Sequence, residues 1–334
     1  MSRKKNREMN RKYGAFLDIC RMSQDKLKKY LVFEMAKYGY DVIADDGYIY
    51  CKEINMPVLL TAHMDTVHKE EPRQFIEKVN DKGNHVLSSP QGIGGDDRCG
   101  IFMILSILRE TDYRPAVLFC EDEEIGGVGS SKFTTYKENV NAIAKLKFFI
   151  ELDRANANDL VFYDDGNEDF YQFCIKATGY AENIGSFSDI SILSPDSGVS
   201  SVNISCGYYH AHTLKEEVVW EEMLNSIEVT EKLIEASKDV EQFEYVEIEN
   251  YKYLFDSNNY GVYGGYNSGW YNSYSNGNVN TYTFKEVETV VEWMEGDRNK
   301  LMYYCGTSVD ECLGMFFQDN PDVCFNDIIS YYET

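Results

Sequence analysis

Apolar and polar residues change rhythm along the chain in a way that predicts layered elements. From Gln24 to Tyr38, Leu27, Leu31, Phe33, Met35 and Tyr38 recur among polar residues, which predicts an amphipathic helix with Ser23 as its N-cap. Tyr40 to Cys51 reads as a hairpin turning at Asp45-Asp46-Gly47. Four later apolar runs, at 58–62, 116–120, 147–152 and 201–207, are too short for helices and predict buried strands. Between and after them lie helical patterns. Cys99 to Glu110 carries Ile101, Ile104, Leu105 and Leu108 on one face; Glu216 to Ser237 carries Val219, Met223, Ile227, Val229, Leu233 and Ile234. Alternation of the two kinds predicts an α/β layered domain.

What ends the four runs matters more than the runs themselves. They lead into His63-Met64-Asp65, into Glu121-Asp122-Glu123-Glu124, into Asp153 and into Tyr208-Tyr209-His210-Ala211-His212. Open α/β sheets bind ligands beyond the carboxyl ends of their strands. Four strand candidates therefore deliver metal-ligand residue types to one edge.

The last third of the chain is different. Residues 258–280 are dominated by Gly, Tyr, Asn and Ser without an apolar period, which predicts a loop or linker over 251–280. Thr283-x-x-Glu286 and Ser308-x-x-Glu311 resemble capping boxes, and 281–334 is expected to be a small helical appendage to a catalytic domain over 1–250. The linker aromatics, Trp270 among them, fit low-complexity linker better than a lid.

Bulk composition narrows the partners. A net charge of −24 over 334 residues excludes a polyanionic partner such as nucleic acid or an anionic membrane surface, and no apolar run is long enough to span a bilayer. The basic, polar start of the chain does not read as a signal peptide. Nine scattered cysteines, several inside apolar runs and none in a CxxC pair, argue against a thiolate metal site or a disulfide framework and fit a reducing cytoplasm.

The chemistry is carried by acids and histidines. Asp65 is placed to hydrogen-bond the second ring nitrogen of His63, fixing its tautomer. Gly92-Ile93-Gly94-Gly95-Asp96-Asp97-Arg98-Cys99-Gly100 sets two carboxylates just ahead of a helix, where one suffices as a cap and the other is free to bridge cations. Glu123 and Glu124 end a strand before the glycine-rich Ile125-Gly126-Gly127-Val128-Gly129. Histidines with carboxylates and no cysteine suit zinc, cobalt or manganese. Two such ions can hold a hydroxide and polarise a carbonyl, and a neighbouring free carboxylate then moves the proton.

His63-Met64-Asp65-Thr66-Val67, Gly95-Asp96-Asp97-Arg98-Cys99-Gly100-Ile101, Asp122-Glu123-Glu124-Ile125-Gly126 and His212-Thr213-Leu214-Lys215-Glu216-Glu217-Val218 resemble, in order, the metal motifs of the co-catalytic zinc exopeptidases, the clan of families M20, M28 and M42. The resemblance runs from about Gln24 to Ser237. It implies a zinc-aminopeptidase-like three-layer sandwich about a mixed, mostly parallel sheet. It also implies two divalent ions, most simply zinc with cobalt or manganese as substitutes. His63, Asp96, Glu124, Asp153 and His212 would be their ligands, with Asp96 bridging after a cis Asp96-Asp97 peptide. Glu123 would be the general base and Asp65 the support of His63. The register favours His212 over His210, which is left as a candidate for substrate contact. Ser188-Asp189 falls where some members carry a Ser-Asp element, and an ordinary turn explains it equally; Arg154, His68 and His85 are expected to be surface or loop residues.

Members with a separate dimerisation domain insert it between the fourth and fifth ligands, but only residues 154–211 lie there, so the resemblance is to the single-domain architecture and leaves the oligomeric state open. Asp at 153, where carboxypeptidase-like members have Glu, leans toward an aminopeptidase or a di- or tripeptidase acting on short peptides. An N-acyl amino acid amidohydrolase or a glutaminyl-cyclase-like enzyme on the same scaffold is the alternative, and an inactive binding homologue a third, disfavoured because every ligand position and the base are filled.

Overall fold

A computed structural model describes residues 3–185 and 187–248, with side chains described from Lys12 onward. They lie within a compact unit, Met1–Ile248. The linker expected at 251–280 and the helical segment at 281–334 lie outside the described residues.

Chain order begins with α1 (Arg3–Cys20), α2 (Gln24–Lys37), β1 (Val42–Asp45), β2 (Tyr48–Cys51), β3 (Val58–His63), β4 (Ile76–Val79), β5 (His85–Ser88) and α3 (Gly95–Glu110). It continues with β6 (Ala116–Cys120), α4 (Val128–Thr135), α5 (Lys137–Ile143), β7 (Phe148–Arg154), β8 (Asp159–Val161), α6 (Glu168–Thr178) and β9 (Ala181–Glu182). The remainder is α7 (Ile190–Ser197), β10 (Ser201–Ser205), β11 (Tyr208–Tyr209), β12 (Glu217–Val219) and α8 (Trp220–Ala236).

An eight-stranded mixed sheet runs β1-β2-β6-β3-β7-β10-β8-β9. The four predicted apolar runs are its centre, β6-β3-β7-β10, all parallel. Buried on both faces, such strands read as continuous apolar runs. Their alternation feeds two cores. Val58, Leu60, Val117, Phe119, Phe148 and Ile150 pack with α1, α2, α3, α6 and α8 on one side. Leu59, Leu118 and Phe149 pack with Phe133, Ile143, Ile190 and Leu193 of α4, α5 and α7 on the other. The architecture is the expected three-layer α/β sandwich.

Local expectations were met unevenly. The hairpin pairs β1 with β2, Asp45 opposite Tyr48. Helix α2 buries Leu27, Leu31 and Met35, a stripe at spacing four, but Phe33 lies off that stripe, is 63% exposed and has the Lys37 ammonium over its ring. Ser23 occupies the N-cap position without a side-chain capping bond. The segment expected to open a helix at Glu216 is instead strand β12 through Val219; α8 starts at Trp220. β12 joins a second, four-stranded sheet, β11-β12-β5-β4, which periodicity did not predict. Val218 and Val219 suit a pleated surface, and pairing with Leu87 and Val86 outweighs the helical pattern that follows. His85 is therefore a strand residue; its amide and ring Nδ1 meet the Glu221 carboxylate at 2.7 and 2.6 Å. Hydrogen bonding and charge from Glu221 raise its pKa, despite the small opposing effect of burial.

All six cysteines among the described residues are buried free thiols. No described helix is long and apolar enough to cross a membrane. Phe102 of α3 lies 5.5 Å, ring centre to ring centre, from both Phe16 of α1 and Trp220 of α8. Phe102→Ala opens a cavity where three helices meet and is expected to cost about 3–5 kcal/mol. The check is a lowered denaturant midpoint at unchanged slope.

Candidate metal centre

The carboxyl ends of β3, β7 and β6 converge because the strands are parallel and in register: His63 lies opposite Cys120, and Thr61 opposite Glu151. Along β3 and β7, one face therefore presents Leu59-Thr61-His63 and Phe149-Glu151-Asp153, apolar below and ligand-forming at the rim. His63 is buried, 1% exposed. Its Nε2 lies 3.0 Å from Asp96 Oδ1, 3.4 Å from Asp153 Oδ1 and 4.0 Å from Glu123 Oε2.

Asp96 comes from the opposite direction, at the kinked start of α3, where it and Asp97 leave helical geometry across a cis peptide. Its other oxygen, Oδ2, lies 3.1 Å from His212 Nε2, which is also 3.0 Å from Glu124 Oε2. One carboxylate thus lies between two half-sites: His63 with Asp153, and Glu124 with His212. The structure brings together all five sequence-predicted ligands and Glu123. His210 is exposed, and no cluster distance involves it.

Two further acids hold the backbone. Asp65 Oδ1 lies 3.2 Å from His63 Nδ1 and accepts the Glu123 N–H at 3.1 Å, while Oδ2 accepts the Glu124 N–H at 3.0 Å. One side chain thus sets the imidazole and the adjacent glutamates. The ligand atoms of His63, Asp97 and Asp153 lie within 4.8 Å of one another, as do those of His63, Asp96 and Glu124. Asp97 is nonetheless spent elsewhere. Oδ1 caps the Gly100 N–H at 2.8 Å, and Oδ2 accepts the His63 N–H at 3.1 Å.

Asp153 has its own supports. The Asn203 side chain accepts its N–H at 3.0 Å, Ser188 Oγ donates to Oδ2 at 3.0 Å, and Tyr208 Oη donates to its carbonyl at 2.6 Å. Ser188 is thus more than a turn residue, and Asp189 beside it is fully buried. Asn203 had a signal, an amide inside a buried apolar run, that periodicity passes over. Arg154 turns aside to Asp159, Nε 3.7 Å from Oδ2. His68 is no ordinary loop residue: its Nε2 is 2.7 Å from the buried Glu216 carboxylate.

The protein groups pull one another's pKa values apart. Burial raises Glu123 and Asp153, and neighbouring carboxylates add to it. Burial opposes the charged form of His212, yet Asp96 and Glu124 outweigh it and push the ring up to about 12. Burial would likewise raise Asp96, but His212 and His63 hold it well below the carboxylate range. Glu124 Oε1 is buried without a hydrogen-bond partner. Clustered anionic donors, two imidazoles and an orphaned oxygen fit divalent cations.

Gly100 shows how tightly the centre is closed. A Cβ there would sit 1.9 Å from the Leu152 carbonyl and 2.6 Å from Asp97 Oδ1. Gly100→Ala is expected to destabilise by at least about 1–3 kcal/mol, because backbone must move. The measurement is thermal or denaturant unfolding; unchanged stability would contradict this packing.

The family model of peptidase family M28 matches residues 50–183, a span holding His63, Asp65, Asp96, Glu123, Glu124 and Asp153 but not His212. No curated protein matches the chain significantly. Among solved structures, aminopeptidase PepT from Bacillus cereus is 14% identical at a TM-score of 0.56, covering 69% of this chain and 98% of its own. A Staphylococcus aureus tripeptidase is likewise 14% identical at a TM-score of 0.56, covering 69% of this chain and 99% of its own. A TET aminopeptidase from a marine-sediment Thaumarchaeota archaeon is 12% identical at 0.52, covering 70% and 99%. At such identities the likeness is one of fold. The family match over the residues of the cluster, within that fold, makes the chain similar to the metallopeptidases of the co-catalytic zinc exopeptidase clan.

Proposed function

We propose that the chain is an exopeptidase, an aminopeptidase or a di- or tripeptidase, that cleaves short peptides with the help of two divalent ions. The observation that carries this reading is the Asp96 carboxylate, one oxygen 3.0 Å from His63 Nε2 and the other 3.1 Å from His212 Nε2. His63 and Asp153 would hold one ion, Glu124 and His212 the other, and Asp96 both. Histidine and carboxylate donors without cysteine favour zinc, with cobalt or manganese as substitutes. When bound, the ions polarise the scissile carbonyl and make a water acidic enough to attack near neutral pH.

The remaining work falls to the chain. Glu123, only 7% exposed, stands beside the first half-site and takes the proton of the attacking water, then delivers it to the leaving amine. Burial first, then the charges of Asp153, Asp189 and Glu124, raise its pKa, which suits a group that must hold a proton before passing it on. Asp65 keeps the base in place through the Glu123 N–H and orients His63. The inert, buried thiols fit a reducing cytoplasm.

Elemental analysis of gently purified protein is expected to find about two zinc, cobalt or manganese ions per chain. Glu123→Gln should keep the metal and lower kcat by about 100-fold or more; full turnover in that variant would move the base elsewhere. A panel of free-amino di- and tripeptides against N-acylated amino acids is expected to give turnover on the former. Turnover of the acylated compounds alone would replace the peptidase reading with an amidohydrolase, and cyclisation of N-terminal glutamine with a glutaminyl-cyclase-like one.

A further inference from the structure

Glu216 is not a proposed ligand, yet its carboxylate is fully buried, 0% exposed. Burying a carboxylate is unfavourable unless hydrogen bonds and charge offset it. Glu216 Oε1 accepts the Asp96 N–H at 3.0 Å, Oε2 accepts the Gly94 N–H at 2.8 Å, and Oε2 lies 2.7 Å from His68 Nε2. Both oxygens are therefore used on the short loop that turns into α3, one of them on the bridging residue itself.

The same side chain belongs to the His212 segment. The Glu216 N–H donates to the Thr213 carbonyl at 3.1 Å, one residue past His212, and the chain then enters β12 of the second sheet. His68 closes the arrangement from outside. A Cβ at Gly92, which sits at φ +83°, would come 2.2 Å from the His68 ring, so the glycine loop lies directly against that imidazole. Loop, imidazole and carboxylate form one clasp.

We propose that Glu216, backed by His68, is the positioning residue that sets the Asp96 carboxylate across both half-sites and so makes the second cation bind tightly. This rests on the dinuclear reading above. The reason is geometric. A bridging carboxylate must keep one oxygen for each ion, and its aim is set by the backbone at 96. The Asp96 N–H is held by a group that also anchors the strand leading from His212. Loosening the clasp leaves His63 and Asp153 aligned through Asp65, Ser188 and Asn203, but lets Asp96 and His212 drift apart.

The test is titration of metal-free protein with Co(II), following the visible absorption and the exchange-coupled electron paramagnetic resonance signal. The native chain is expected to take two equivalents. Glu216→Gln keeps the shape but turns an NH2 donor toward backbone N–H groups, and should weaken the second equivalent about 10- to 100-fold while the first changes less. His68→Ala, which leaves the carboxylate in place, should weaken it by a smaller factor and serves where the glutamine variant does not fold. Circular dichroism of the metal-free variants establishes that they are folded. A folded variant of either kind with native second-equivalent affinity and coupling would overturn the clasp. A native chain that takes fewer than two equivalents sinks the dinuclear reading, and the clasp with it.

Discussion

The described part of this protein is organised around one electrostatic constraint: Asp96, Glu123, Glu124 and Asp153 crowd around two imidazoles at the rim of a buried sheet. Two like charges 4 Å apart repel by about 4 kcal/mol at the effective dielectric of a protein interior. The chain answers part of this with its own atoms. His63 and His212 hold Asp96 ionised, while burial keeps protons on Glu123 and Asp153 more firmly than water would. The rest is the kind of demand that divalent cations meet.

Holding such a cluster requires a rigid frame, and the frame is built of backbone amides as much as side chains. Asp65, Asp97 and Glu216 each use both oxygens, and between them they grip the N–H groups of His63, Gly94, Asp96, Gly100, Glu123 and Glu124. Acids outside the proposed ligand set thus set the backbone from which those ligands project. A carboxylate is well suited to this because each oxygen accepts strong, short bonds from N–H groups. The kink at the start of α3 belongs to the same design: it turns Asp96 toward the cluster while Asp97 caps the helix.

The sheet supplies direction. Parallel strands end together, so β3, β6 and β7 bring their terminal acids and histidine to one rim without any long loop. His212 has no strand of this kind to ride on. It arrives on the short stretch between β11 and β12, and the second sheet fixes that stretch by pairing β12 with β5. The small sheet is therefore part of the centre's support.

The central strands, helices α2 and α3 and the body of α8 could be read from the chain itself, because burial on one face or both leaves a periodic trace. The proposed ligands stood out as candidates for a related reason: His63 and Asp153 follow directly on apolar runs and Glu124 lies a few residues past one, and a strand end is a local fact. Other features left no such trace. Glu216 to Val219 carries a helical-looking pattern, and only pairing with β5 and β11 makes part of it a strand. Phe33 and Leu27 look alike in sequence, and only the packing of α2 exposes one and buries the other. His68, Asn203 and Ser188 acquired roles through partners as much as 148 residues away, as His68 and Glu216 are. Sequence by itself determined which residue types stand at the ends of which strands. Tertiary structure decided which of those acids face the cluster and which hold backbone amides, since that choice depends on contacts between segments distant in the chain.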